Sequence, residues 1–148
     1  MKRIMAVASG GGHWQQLALL APAFAGADVI YVTPRPYMAA RSGLGPVFGV
    51  QDCSLRTPLR AARCGLQLLK LIVRQRPDVV VTTGALPGLL AVIAGRIFGA
   101  RTIWIDSIAN AEALSGSGRF ARFVAEDWLT QWPGVATPNG PSYRGAVI

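Results

Sequence analysis

At 148 residues, 51% of them hydrophobic and 15% charged, the chain is long enough for one domain with a real core, too short for two, and too apolar to be disordered. Its net charge of +8 lies wholly in the first half: residues 1–77 hold ten Lys or Arg against Asp28 and Asp52, whereas residues 78–148 hold five residues of each sign. That imbalance points to an anionic partner for the first half, and a single histidine with two loosely placed cysteines argues against a zinc knuckle or a disulfide scaffold.

Residues 3–8 (RIMAVA) read as a short buried strand ended by glycines. Residues 13–24 (HWQQLALLAPAF) read as a helix with Leu17, Leu20 and Phe24 at spacings of three and four and Pro22 in its last turn. A second strand is expected at 27–33, then a Pro- and Gly-rich loop at 34–49 with a small strand near PVFGV. Residues 57–75 form the next helix, with Thr57 as N-cap and Pro58 at its first position. The β-branched run PDVVVTTG (77–84) is the clearest strand, LPGLLAVIAGRIFG the helix after it, and RTIWID (101–106) a further strand. A polar loop follows, then RFARFVAE as a short helix and DWLTQW and YRGAVI as the last strands. Strands alternating with helices specify an α/β fold: a Rossmann-like parallel sheet with helices on both faces, in one domain over 1–148.

No segment reaches the roughly 18 uncharged apolar residues of a membrane span: LPGLLAVIAGRIFGA (86–100) is too short and carries Arg96. The apolar run after the basic start MKR is shorter than a signal peptide requires, so the expected location is cytoplasmic. Cys53 and Cys64 are read as ordinary reduced thiols.

In open α/β sheets ligands bind at the carboxyl ends of the strands. Ser9, Gly10, Gly11 and Gly12 lie at such an end, between strand one and helix one, where glycine lets the backbone turn sharply and free N–H groups attract an anion. The spacing is not GxGxxG and no acid follows strand two, which argues against a NAD site. His13, directly after the glycines, can take a proton from a hydroxyl or donate an N–H to a phosphate. TTGALPG (82–88), with Gly84, forms a second turn at the same edge and a candidate opposite lip of one cleft. The loop DSIANAEALSGSG supplies Asp106 and Glu112, the carboxylates nearest the cleft, together with Ser107, Asn110, Ser115 and Ser117 as donors to sugar or phosphate.

Along the 57–75 helix, Leu59, Leu66, Leu69 and Val73 form a stripe flanked by Arg60, Arg63, Lys70 and Arg74. Two readings are open: a basic amphipathic helix on an anionic membrane surface, or a surface helix whose leucines are core. Nucleic acid is disfavoured, because no reader motif is present and aromatics are not interleaved with the basic residues.

SGGGHWQQLALL, PDVVVTTGALPG, DSIANAEALSGSGRF and DWLTQWP, in this order, resemble the Alg14-like proteins, which include the bacterial PssD/EpsE-type polysaccharide-biosynthesis subunits. The resemblance spans nearly the whole chain and is most specific in LSGSGRF…DWLTQWP; the glycine turn is shared more widely with MurG-like glycosyltransferases. It implies the acceptor-side half of a split GT-B glycosyltransferase, similar to the N-terminal domain of such enzymes and active only with a partner. The partner would be an Alg13-like (PssE/EpsF-type) protein carrying the nucleotide sugar, so no cofactor is expected on this chain. The acceptor would be a polyprenyl-diphosphate-linked glycan, bound peripherally at the inner face of the plasma membrane, since the chain lacks the anchor of the eukaryotic relatives. On this reading His13 is the first candidate for general base and Asp106 the second. The family's Glu-Ser-x-Ala-Arg stretch reads Asp106, Ser107, Ile108, Ala109, Asn110 here, so a charge contact at the last position does not carry over. Two rivals stay open: a non-catalytic scaffold that recruits the partner to the membrane, and a self-sufficient nucleotide-binding enzyme.

Overall fold

The computed structural model describes residues 1–148 and alternates strands with helices, as the sequence pattern requires. In chain order these are β1 (Arg3–Val7), α1 (Gly12–Leu20) with a 3-10 turn over Ala21–Phe24, β2 (Asp28–Thr33), α2 (Pro36–Arg41), β3 (Val47–Gly49) and α3 (Pro58–Gln75). There follow β4 (Val79–Thr82), α4 (Ala85–Ile97), β5 (Arg101–Ile105), α5 (Gly116–Ala121), β6 (Asp127–Thr130) and β7 (Ser142–Tyr143). The seven strands form one all-parallel sheet in the order β3-β2-β1-β4-β5-β6-β7. The order reverses at β1, between β2 and β4, which is where such sheets open a crevice for ligands.

Successive strand residues point to opposite faces, and both faces are covered. Met5, Val7, Ile30, Val32 and Val80 pack against Cys64, Leu68 and Ile72 of α3 and Ala91 and Ala94 of α4. Ala6, Ala8, Tyr31 and Val81 pack on the other side against Trp14 and Leu17 of α1 and Ala39 of α2. A third cluster joins Leu89 and Val92 to Trp104 and Ala121. Glycine sets the spacing of α4: a Cβ on Gly88 would overlap the Thr82 hydroxyl, and one on Gly95 would lie 2.7 Å from Val80 Cγ2.

Four local expectations are corrected. Residues 34–49 contain α2, begun by Pro36 in the first turn, and not only loop and a small strand. Thr57 stands at the N-cap of α3 but does not cap it; its hydroxyl donates to Ser54 O and accepts from Ser54 N, closing the preceding turn. The short helix before β6 starts at Gly116, three residues earlier than its apolar pattern suggests, because Ser115 caps it through Gly118 N. The last strand is Ser142–Tyr143, and residues 144–148 leave the sheet.

The core side of α3 is Cys64, Leu68 and Ile72, whereas Leu59, Leu66 and Val73 are 86%, 68% and 51% exposed. Residues seven apart drift only about 20° around a helix, so these three form one outward row. The leucine stripe is therefore surface, with only Leu69 partly covered. No helix is long and apolar enough to cross a membrane.

Candidate functional site

The sheet's carboxyl edge carries two glycine turns side by side. Gly11, at the N-cap of α1, has φ 67°, and Gly84, at the N-cap of α4, has φ 128°. Neither helix start has a side-chain cap, so the N–H groups of the first turns are left to whatever occupies the edge. Ser9, Gly10 and Gly11 line a cavity of about 530 Å³ here, with Arg35, Met38, Asp52, Cys53, Ala85 and Pro87 forming the rest of its wall. A larger cavity of about 790 Å³, lined by Lys2, Asp78, Arg101 and Glu126 among others, lies at the opposite, amino edge of the strands.

His13 sits between the two turns, half-buried, its ring packed on Gly84. A Cβ at Gly84 would meet His13 Cε1 and Nδ1 at 2.9 Å. Nδ1 lies 2.9 Å from the Thr83 carbonyl oxygen, which can only accept, so Nδ1 carries the proton. In the neutral ring the lone pair then resides on Nε2. The Thr83 hydroxyl returns the contact by donating to the His13 carbonyl at 2.6 Å. Ala85, the next residue, holds φ 65°, a left-handed conformation unusual for a residue with a side chain.

Asp106 is arranged in the opposite way. It is 1% exposed, and its carboxylate accepts from Trp104 Nε1 (3.1 Å), the Ser115 hydroxyl (2.8 Å), Ser115 N (3.1 Å) and Asn110 Nδ2 (3.1 Å). These bonds fold the 106–115 loop back on itself and leave Asp106 facing loop donors. Gly118 is needed beside it, since a Cβ there would overlap Asp106 Oδ1.

A buried amide network joins this loop to α1. Gln16 Nε2 donates to the Ser107 hydroxyl (3.1 Å), while Gln16 Oε1 accepts from Ile108 N (3.1 Å) and from Gln131 Nε2 (2.7 Å). Gln131 Nε2 also donates to Asp106 O, and Gln131 Oε1 accepts from Val147 N. Trp132 Nε1 donates to Ile108 O at 2.6 Å, tying the loop to the end of β6.

The candidate residues therefore fall into separate groups. Ser9, Gly10 and Gly11 line the cavity; Gly12 begins α1; His13 and Gly84 pack together between the two glycine turns, outside the cavity wall; Asp106, Ser107 and Asn110 belong to the loop network; Glu112 is exposed and makes no hydrogen bond or ion pair. Arg60, Arg63, Lys70 and Arg74 are exposed along α3, none in an ion pair. Sequence reasoning missed Arg35, Gln16 and Gln131. The signal for Gln16 is its place between Trp14 and Leu17 on the inward side of α1, where an amide needs partners. Burial pushes the Cys53 thiol up and the Cys64 thiol up to about 12, the neighbouring sulfur adding to the Cys64 shift, so both are held as neutral thiols. No group of three metal-binding side chains converges.

This architecture defines a Rossmann-like domain of the kind that forms the N-terminal half of GT-B glycosyltransferases. Over its whole length the chain superimposes on 46% of Acinetobacter baumannii MurG with a TM-score of 0.83 at 13% identity. It also superimposes, over 87% of its length and 40% of the other, on UDP-GlcNAc 2-epimerase from Neisseria meningitidis bound to UDP-GlcNAc, with a TM-score of 0.67 at 9% identity. In sequence the chain is similar to the UDP-N-acetylglucosamine transferase subunit ALG14 of Cryptococcus neoformans var. neoformans serotype D, with 30% identity in a 91-residue alignment that covers 56% of its length. It spans 39% of that curated relative. No protein-family model matches it.

Proposed function

We propose that the chain is the acceptor-binding subunit of a two-component, inverting glycosyltransferase. The observation that carries this reading is His13: its Nδ1–H is committed to the Thr83 carbonyl, so the basic nitrogen of the neutral ring is Nε2, on the residue that directly follows the glycine turn at the carboxyl edge of the sheet. His13 Nε2 takes the proton of the acceptor hydroxyl as its oxygen attacks the anomeric carbon of a nucleotide sugar held by an Alg13-like partner; the nucleotide diphosphate departs with inversion. The backbone N–H groups of the glycine turn bind the diphosphate of a polyprenyl-linked glycan. Asp106, already holding four donors, positions the loop and is not the base. The domain needs no cofactor of its own on this reading. Support for the partner comes from the name of the similar protein, itself a transferase subunit.

The outward row Leu59, Leu66 and Val73, with Arg60, Arg63, Lys70 and Arg74 beside it, supports peripheral binding of α3 to the anionic inner face of the plasma membrane. An exposed apolar row has no role in the core, and each adjacent basic residue adds about 1 kcal/mol at such a surface. The test is glycosyl transfer from a panel of nucleotide sugars to a polyprenyl-diphosphate glycan in membranes, with this chain alone and with an Alg13-like partner. Transfer with both and with neither alone is the expected result; transfer by this chain alone overturns the split architecture.

A further inference from the structure

We infer that Arg35 is the residue that grips the diphosphate of the acceptor in the glycine-turn cavity; this rests on the acceptor-binding reading above. Arg35 comes from the end of β2, two residues past Thr33, and its side chain lies flat over Gly10. A Cβ on Gly10 would overlap Arg35 Cδ and stand 2.6 Å from its Nε. Gly10 has no positive φ; a side chain there would displace the flexible end of Arg35, so glycine leaves room for the guanidinium at the mouth of the turn.

The side chain is placed from both ends. Arg35 N donates to the Thr33 hydroxyl at 3.1 Å, and Arg35 Nη1 donates to the Tyr37 hydroxyl at 3.1 Å. No carboxylate pairs with it. A pre-positioned guanidinium with unused donors matches a bidentate phosphate partner. Ser9, Gly10 and Gly11 line the same cavity, so the cation and the turn face one volume, large enough for a diphosphate with an attached sugar. Asp52 is the one acid on the wall; it accepts from Cys53 N and partly offsets the charge of Arg35. It opposes an anion and suits a sugar hydroxyl, which favours a glycosylated diphosphate over free phosphate.

The experiment is calorimetric titration of the full chain with inorganic pyrophosphate, farnesyl diphosphate and UDP. It uses wild type, Arg35→Ala, Arg35→Lys, Gly10→Ala, Asp52→Asn and, as a charge control on another face, Arg122→Ala. Arg35→Ala is expected to weaken pyrophosphate and farnesyl diphosphate by at least about tenfold. Arg35→Lys should recover only part of this, because a lysine cannot bind in bidentate fashion. Gly10→Ala should weaken binding comparably while keeping the charge, by displacing the guanidinium. Asp52→Asn should tighten binding, and Arg122→Ala should match wild type.

Equal pyrophosphate affinity in wild type and Arg35→Ala, or no binding by wild type, overturns the assignment. UDP binding tighter than farnesyl diphosphate does so too, since the cavity would then be a donor site. Transfer by the reconstituted pair supplies the second readout: Arg35→Ala should raise the acceptor KM at least about tenfold with kcat little changed. If Arg35-dependent diphosphate binding is found but no pair transfers sugar, the glycosyltransferase reading falls and the anion site stands; if transfer occurs and is indifferent to Arg35, the reverse holds.

Discussion

The glycine-turn cavity and the Asp106 loop lie at the same edge of the sheet and are built on opposite plans. Around the cavity polar groups are left uncommitted: two uncapped helix starts, a guanidinium with no ion pair, an imidazole with one nitrogen fixed and the other carrying a lone pair. Around Asp106 every buried side-chain donor and acceptor has found a partner within the protein. A satisfied buried network stabilises one conformation and has nothing left to offer a ligand; an unsatisfied edge costs stability and keeps its chemistry available. The difference shows why a carboxylate at a strand end, attractive as a base by position, is tied into its own loop here, while His13 on α1 has only one ring nitrogen committed.

The sharpest way to break this contrast is His13→Ala in the reconstituted pair. Transfer should fall by roughly 10²–10⁴-fold, with the complex intact and the thermal midpoint nearly unchanged. A variant that transfers at the wild-type rate would remove the base role from His13. Asp106→Ala should do the reverse, lowering stability by about 3 kcal/mol in urea unfolding, because it orphans the Trp104, Ser115 and Asn110 donors in a buried site. A stable Asp106→Ala with abolished transfer would return the base role to Asp106.

Gln131→Ala tests whether the loop and α1 are one network. It should cost roughly 2 kcal/mol, and Gln16→Ala made on top of it should cost less than it does alone, as a double-mutant cycle would show. Ala85→Gly should stabilise by about 0.5 kcal/mol, relief of the left-handed strain outweighing the added chain entropy. The smallest expected effect is none: Cys64, pushed up to about 12 by burial, should resist iodoacetamide at pH 7.5 until the chain is unfolded. Because the folded thiol holds its proton more tightly than the unfolded one, the stability tied to it is present below pH ~9 and is lost as pH rises toward ~12.

How far the sequence carries can be read from particular elements. The apolar runs of β1 and β4 and the period of α3 and α4 are local signals, and each element lies within a few residues of its expected bounds. The short helix α2 hides because six residues starting at proline, in a stretch rich in glycine and proline, look like turn. The stripe on α3 shows the limit of periodicity: two apolar rows run along that helix, and only packing decides that Cys64, Leu68 and Ile72 face the core while Leu59, Leu66 and Val73 face out.

What the sequence determined by itself was the α/β class, the parallel sheet, the glycine turns at its carboxyl edge and the basic first half, since each follows from neighbouring residues and the geometry of the chain between them. What tertiary structure decided was which of the candidate groups remain free. Thr83 is 70 residues from His13, and its carbonyl selects which imidazole nitrogen is basic. Gln131 is 115 residues from Gln16, and their contact closes the loop network. Arg35 reaches Gly10 only because β2 lies beside β1 in parallel register. Whether a polar group is satisfied depends on atoms within about 3 Å in space, and in a parallel sheet those atoms come from strands and loops far apart along the chain.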